Sequence, residues 1–239
     1  KSISGPGAGN YLTVGKIFNE IKKHFSSAAL NKTFFHAHGT STPQNRESES
    51  HIISSISKAF GIEALPVTAI KSYLGHSLAA AGGDQMISTL GSWKNNLIPG
   101  ITSTPELAEN VHKENVDFLL QNKKFEEDEF DFAVLNAKGF GGNNGTSLVA
   151  SPAKTMKMLE SKYSKKDMQA YLIKKSKIDD QLSTSKQEIL QGDIKSRYIF
   201  GEGVIDGMND FEIETDKITN KLNNEIFDLN STLPYKDYL

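Results

Sequence analysis

The stretch KTFFHAHGTSTPQN, residues 32–45, sets the first constraint on the fold. Residues 33–37 are short, apolar and aromatic, the composition of a buried strand. A polar turn leaves the end of that strand, and Pro43 suits the first turn of a following helix. Upstream, GPGAGN (5–10) reads as a loop, with Asn10 as a candidate helix cap. Leu12, Ile17, Ile21 and Phe25 then recur near helical spacing, which predicts an amphipathic helix over 11–26. Downstream, RESESHIISSISKAFG (46–61) predicts a helix closed by Gly61. LPVTAIKS (65–72) reads as a second short strand. GHSLAAAGGDQMISTLGSW (75–93) reads as a helix despite Gly82 and Gly83, which cost about 1 kcal/mol each against alanine. DFAVLNAKGFGGNNGTSLVAS (131–151) reads as strand, glycine loop, strand. This order predicts a layered α/β unit. The strands are apolar on both faces, as in a sheet covered by helices. Three polar loops follow strands, where such sheets present ligands.

Composition narrows the function classes. A net charge of −2 over 239 residues gives no electrostatic case for nucleic acid or an anionic membrane. No apolar run reaches the roughly 20 residues of a spanning helix, and the opening KSISGPGAGN has no secretory apolar core. The expectation is a cytoplasmic chain without a membrane span. Zero cysteines exclude a disulfide, a thiolate metal ligand or a cysteine nucleophile within these residues. Beyond Ser151 the composition shifts: 29 charged side chains fall in 151–239, against 27 in the longer stretch 1–150. The expected division is therefore a folded part, 1–150, and a charged extension, 151–239, either helical, draped as extended chain or partly disordered.

The loops carry the chemistry-bearing groups. His38 and His76 sit beside glycines, where backbone can approach a substrate. The alternative is that each histidine satisfies loop carbonyls. Thr40, Ser41 and Thr42 could contact an amide-bearing ligand or cap the helix at Pro43. Lys71 leaves an apolar strand, so it either meets a buried partner or snorkels. Gly139, Gly141 and Gly142 could offer N–H groups to a developing oxyanion. KGFGGNNG has neither the spacing nor the following helix of a dinucleotide fingerprint. His36 and His38 would share a face of a strand, so a metal is the rival use, with His76, Asp84 or Glu49 as third ligand. No HExxH or tight three-ligand spacing supports it, and no metal is expected.

AHGTSTPQN (37–45), KSYLGHSLAAAGG (71–83) and NAKGFGGNNGTSLV (136–149), in this order, resemble the three signature blocks in the C-terminal half of beta-ketoacyl-acyl carrier protein synthases. The resemblance covers roughly residues 4–150. It implies the C-terminal half of a thiolase-like fold, with layers α/β/α/β/α and mixed sheets covered by helices. The nucleophilic cysteine would lie in an N-terminal ketosynthase half outside these residues, and the intact enzyme would be a dimer. The implied reaction is decarboxylative Claisen condensation of a malonyl unit, carried by acyl carrier protein on phosphopantetheine, with an enzyme-bound acyl group. No bound cofactor is implied.

Carried over residue by residue, the resemblance makes His38 and His76 the active-site histidines, with Lys71 orienting them. Thr40 and Thr42 would contact phosphopantetheine, and the N–H of Phe140 would complete an oxyanion hole. Four positions depart from the family pattern, the mildest being Asn143 in place of a threonine. Arg46 stands where an acidic residue is common. Gln85 stands where a glutamate supports the histidine network or a cation. Lys138 replaces the phenylalanine gate before Gly139. The resemblance leaves open fatty-acid or polyketide chemistry, and a second possibility of a non-catalytic partner or carrier-binding module.

Overall fold

The computed structural model describes residues 8–139, 142–193 and 203–230. The chain forms two compact units, Lys1–Ala170 and Tyr171–Leu239. In chain order the first contains α1 (Ala8–His24), α2 (Ser27–Leu30), β1 (Thr33–His36), α3 (Pro43–Ala59), β2 (Leu65–Thr68), α4 (Lys71–Leu74), a 3-10 turn (Leu78–Ala80) and α5 (Ala81–Asn95). β3 (Leu97–Ile98), β4 (Val116–Phe118), β5 (Lys123–Lys124), β6 (Phe132–Lys138), β7 (Asn144–Ala150) and α6 (Pro152–Lys162) follow. The helix α7 (Lys165–Leu190) begins in the first unit.

The main sheet has the order β4-β2-β1-β6-β7. The pairs β2–β4, β1–β2 and β1–β6 are parallel, and β6–β7 is antiparallel. This is the mixed, helix-covered sheet of the thiolase-like fold. Period-two alternation divides its side chains between two faces. Phe35, Val67, Phe132 and Val134 face Val14, Phe18 and Ile21 of α1 and Ile52 and Ile53 of α3. Phe34, Ala133 and Leu135 face the other way, toward Ile98, Phe130 and the α5 residues Met86 and Trp93. Strands buried on both sides explain the continuous apolar runs of β1 and β2. β7 is an edge strand, as β4 is on the other side, and keeps partly exposed residues.

The strand expected over 65–72 ends at Thr68, with Lys71 opening α4, and the helix expected over 75–93 begins at Ala81; the other expected elements recur with small shifts. The opening helix starts at Ala8, so Asn10 is not a cap. It lies buried inside α1, where its side-chain amide donates to Asn136 Oδ1 at 2.8 Å. α3 ends beside Gly61, whose φ of +71° lets the chain turn away. Among the described residues after Ser151, α6 and α7 account for most of 152–190. Ser151 caps α6 by accepting from Lys154 N–H, and Lys154 Nζ lies 3.7 Å from Asp131 and over the Phe25 and Phe132 rings. The second unit holds the rest of α7 and a three-stranded antiparallel sheet of β8 (Phe211–Ile213), β9 (Lys217–Asn220) and β10 (Glu225–Asp228).

Phe132 has no exposed surface and its ring centroid lies 4.6 Å from that of Phe25. Truncation there leaves a cavity between α1, α6 and the sheet. Phe132→Ala is expected to lower unfolding free energy by about 3–5 kcal/mol, read from the urea midpoint.

Candidate functional site

β2, β1 and β6 are neighbours in the sheet, so the loops leaving their carboxyl ends converge. They line a cavity of about 960 Å³ with His38, Thr40, Thr42, Lys71, His76, Lys138 and Gly139 on its walls. Two of the loops touch. Gly39 has φ +58°, and a Cβ there would meet Ala69 Cβ at 2.5 Å, so only glycine allows this approach.

The anchor of the site is Glu49 on α3, which is 3% exposed. Its Oε1 accepts from His38 N–H at 2.8 Å and from the Asn136 side-chain amide at 2.7 Å. Its Oε2 accepts from Gly39 N–H and from Asn45 Nδ2, both at 3.0 Å. One carboxylate thereby fixes the first loop, the start of α3 and the end of β6. The network continues outward through Asn136, whose Oδ1 accepts from Asn10 of α1 and from Thr146 of β7. Glu49 entered the sequence reading only as a possible metal ligand, and Asn45 and Asn136 had no role in it. The detectable signal was Asn45 and Glu49 one helical turn apart, directly after a loop rich in polar groups.

The two imidazoles meet across the cavity, with ring centroids 5.4 Å apart and planes at 82°. Neither ring uses Nδ1 to satisfy a carbonyl. His38 Nδ1 accepts from Lys138 N–H at 3.1 Å, and His76 Nδ1 accepts from Leu78 N–H at 3.0 Å. In the neutral state each ring must then carry its proton on Nε2. Leu78 has φ +56°, a conformation costly for a branched side chain, and it is this turn that aims its N–H back at His76. Burial lowers the His38 pKa to about 4. The Lys71 ammonium adds to that, and Glu49 opposes it.

Lys71 does not snorkel: its Nζ donates to the His38 carbonyl at 2.5 Å. Burial lowers its pKa, against the pull of Glu49 and Asp84. Lys138 is half-buried and donates from Nζ to Asn45 Oδ1 at 3.0 Å; burial lowers its pKa as well. Gln85, almost fully buried on α5, donates from Nε2 to the carbonyls of Ala37 and Asn136 at 2.9 and 3.0 Å. It clamps the ends of β1 and β6 together behind His38. Thr42 occupies the cap position of α3, yet its side chain makes no capping bond. Its hydroxyl is not consumed by the helix.

The remaining expected groups divide. Gly139 lines the cavity, but its N–H donates to Asn143 O at 2.9 Å within the turn, so it is not free for an oxyanion. Gly142 adopts φ +83° in the same loop. Phe140 and Gly141 lie outside the described residues. His36 belongs to the core and not to the cavity. It is fully buried, and neither ring nitrogen has a hydrogen-bond partner among the described residues. It therefore does not join His38 as a ligand pair. No group of three or more His, Cys, Asp or Glu among the described residues could hold a metal ion.

Two imidazoles, two ammonium groups and a buried carboxylate gather at the ends of parallel strands, in a chain whose relatives make it a ketosynthase-like C-terminal domain of the thiolase-like superfamily. Residues 19–104 match the family described as beta-ketoacyl synthase, C-terminal domain. The chain is closely related to beta-ketoacyl-acyl-carrier-protein synthase FabY of Pseudomonas aeruginosa, with 39% identity over 221 residues, 92% of this chain and 34% of FabY. The crystal structure of ketosynthase FabY from P. aeruginosa matches with a TM-score of 0.83 at 36% identity, covering 100% of this chain and 37% of that one. 3-Oxoacyl-acyl-carrier-protein synthase 2 of Vibrio harveyi is 32% identical over 116 residues, 47% of this chain and 26% of the relative. The chain thus spans about a third or less of the length of these relatives.

Two outcomes follow from this geometry. His36 and His38 hold protons less readily in the fold than the ordinary imidazole value of 6.5, at about 3 and about 4. The unfolded chain therefore binds more protons in that window. Stability is expected to be complete above about pH 6.5 and to fall as the pH drops toward 4, with His36→Leu flattening the denaturation midpoint against pH. Gln85→Glu places a carboxylate against two carbonyl oxygens and removes both donors. It should cost about 3–5 kcal/mol in urea unfolding at pH 7.

Proposed function

We propose that the cavity is the decarboxylating side of a condensing enzyme, with the nucleophilic cysteine supplied by polypeptide outside these 239 residues. The observation that carries this reading is the pair of Nδ1 atoms held by backbone N–H groups. It leaves two Nε2–H donors for one substrate oxygen. A malonyl thioester seats its carbonyl oxygen on those two donors. The bond from the methylene carbon to the carboxylate breaks, carbon dioxide leaves, and the electron pair passes into an enolate. Its oxygen accepts from both Nε2–H groups, which were oriented before the charge developed. The enolate carbon then attacks the acyl thioester on the cysteine. A carbon–carbon bond forms, the carbon–sulfur bond breaks, and the thiolate departs.

Lys71 acts through main chain, holding the His38 carbonyl and so the ring's register. Thr40 and Thr42 line the entrance and contact phosphopantetheine, for which the uncommitted Thr42 hydroxyl is support. The relative's name, a synthase acting with acyl carrier protein, supports that protein as the partner. Leu74, Leu78, Ile87 and Leu90 are exposed along α4, the 3-10 turn and α5. An apolar run of this kind beside a reaction centre supports a covering N-terminal half in a dimeric enzyme. No helix among the described residues is long and apolar enough to cross a membrane.

The test uses the protein expressed from its full natural reading frame. His76→Ala and His38→Ala are each expected to lower malonyl-thioester decarboxylation by about 10²–10³-fold or more, with circular dichroism unchanged. Retained decarboxylation would end the role given to these rings. Intact mass with iodoacetamide labelling and peptide mapping should find one reactive cysteine outside the present residues. Carrier-protein binding without any acylated cysteine would favour the non-catalytic alternative.

A further inference from the structure

We propose that Lys138 is a carboxylate-binding residue, holding the acidic end of a malonyl-type thioester beside His38, and not a gate for an apolar acyl chain. The proposal deepens the condensing reading and rests on it. Three observations favour a substrate anion at this ammonium.

The first is charge. Lys138 and Lys71 both line the cavity and both are half-buried. Among the described residues, neither has a carboxylate within salt-bridge distance. Glu49 lies near enough to act on both, yet each of its oxygens already accepts two hydrogen bonds. A half-buried ammonium facing an open cavity with only the neutral Asn45 amide as partner is incompletely compensated.

The second is commitment. Lys71 Nζ is tied to the His38 carbonyl. Lys138 Nζ reaches a neutral side-chain oxygen on the first turn of α3, and a charged ligand can outcompete that acceptor.

The third is position. Lys138 ends β6, and its N–H is the group that fixes the His38 ring. A malonyl carboxylate is one methylene away from the carbonyl whose oxygen sits on His38 and His76, so it lies within the cavity that the Lys138 side chain lines. The phosphate of a phosphopantetheine arm lies the whole length of the arm away from that carbonyl. A substituted side chain leaves the backbone donor to His38 in place, so the ammonium can be removed without changing the tautomer.

This role has a kinetic signature. On decarboxylation the charge moves from the carboxylate into the enolate and neutral carbon dioxide leaves, so an ammonium that grips the carboxylate stabilises the bound substrate more than the transition state. Lys138→Met should raise KM for malonyl-pantetheine roughly 10–100-fold, the range for a hydrogen bond between charged groups, while kcat stays level or rises. Lys138→Arg, which keeps the charge, should restore most of the KM. Isovaleryl-pantetheine, a neutral isostere of the malonyl thioester, should bind the Met variant and the unaltered protein alike. Neither probe carries a phosphate, so a loss seen only with phosphopantetheine thioesters would overturn the carboxylate assignment. An unchanged malonyl KM, or an equal loss for both probes, also overturns it, as does a gain confined to long neutral acyl groups, which marks a gate. If the unaltered full-length protein releases no carbon dioxide, the condensing reading fails. Calorimetric binding of the same two thioesters then decides the role of Lys138: a malonyl preference abolished in Lys138→Met supports it, and no preference removes it.

Discussion

The site depends on one buried carboxylate. Taking a charge out of water is costly unless every lone pair finds a donor. Glu49 meets that requirement with four donors drawn from separate parts of the chain: two successive backbone N–H groups after β1, Asn45 on α3 and Asn136 on β6. Because the donors are scattered, satisfying the carboxylate and assembling the site are the same event. The loop after β1 cannot wander without leaving a buried charge exposed to nothing. The outer links to Asn10 on α1 and Thr146 on β7 extend that constraint to the opening helix and the edge strand.

The imidazoles inherit their geometry from backbone. A side chain held by another side chain has two sets of rotamers to settle, whereas His38 is held by the N–H of a residue paired within the sheet. Gln85 adds stiffness from the opposite face, since its two donor bonds fix the separation of the strand ends that carry His38 and Lys138. A glutamate could not make those bonds without a proton or a cation between it and the carbonyls. Gln85 thus clamps the two strand ends as a neutral donor, while its buried Oε1 accepts no hydrogen bond among the described residues.

Much of this was legible in the sequence, and the reason is local. The strands could be read because they are covered on both faces and so show unbroken apolar runs. The loops could be read because they combine glycine with hydroxyls and histidine. The three blocks together were specific enough to reach the family and to place His38, His76 and Lys71 around one cavity. Glu49 escaped because a glutamate in a polar helical turn looks solvated until its four donors arrive from residues as distant as Asn136. Asn10 was misread for a similar reason: beside a glycine-rich loop it has the chemistry of a cap, and only its partner on β6 shows why it is buried. The fate of the Gly139 N–H depended on how the turn closes on Asn143, which residue type alone does not encode.

The electrostatics of the cavity fit together around His38. Burial and two flanking ammonium groups oppose a third positive charge, and they keep the ring neutral far below physiological pH. The same surroundings favour a negative charge, whether a carboxylate that arrives or an enolate oxygen that forms. A protonated His38 would lose its Nδ1 acceptor, and with it the bond from Lys138 N–H that orients the ring. Neutrality is thus required twice, once by the positive neighbours and once by the hydrogen bond. An imidazole so constrained is a poor acid in the ground state. It is a well-placed donor when charge develops on an oxygen in front of Nε2, because no proton has to move and no dipole has to turn.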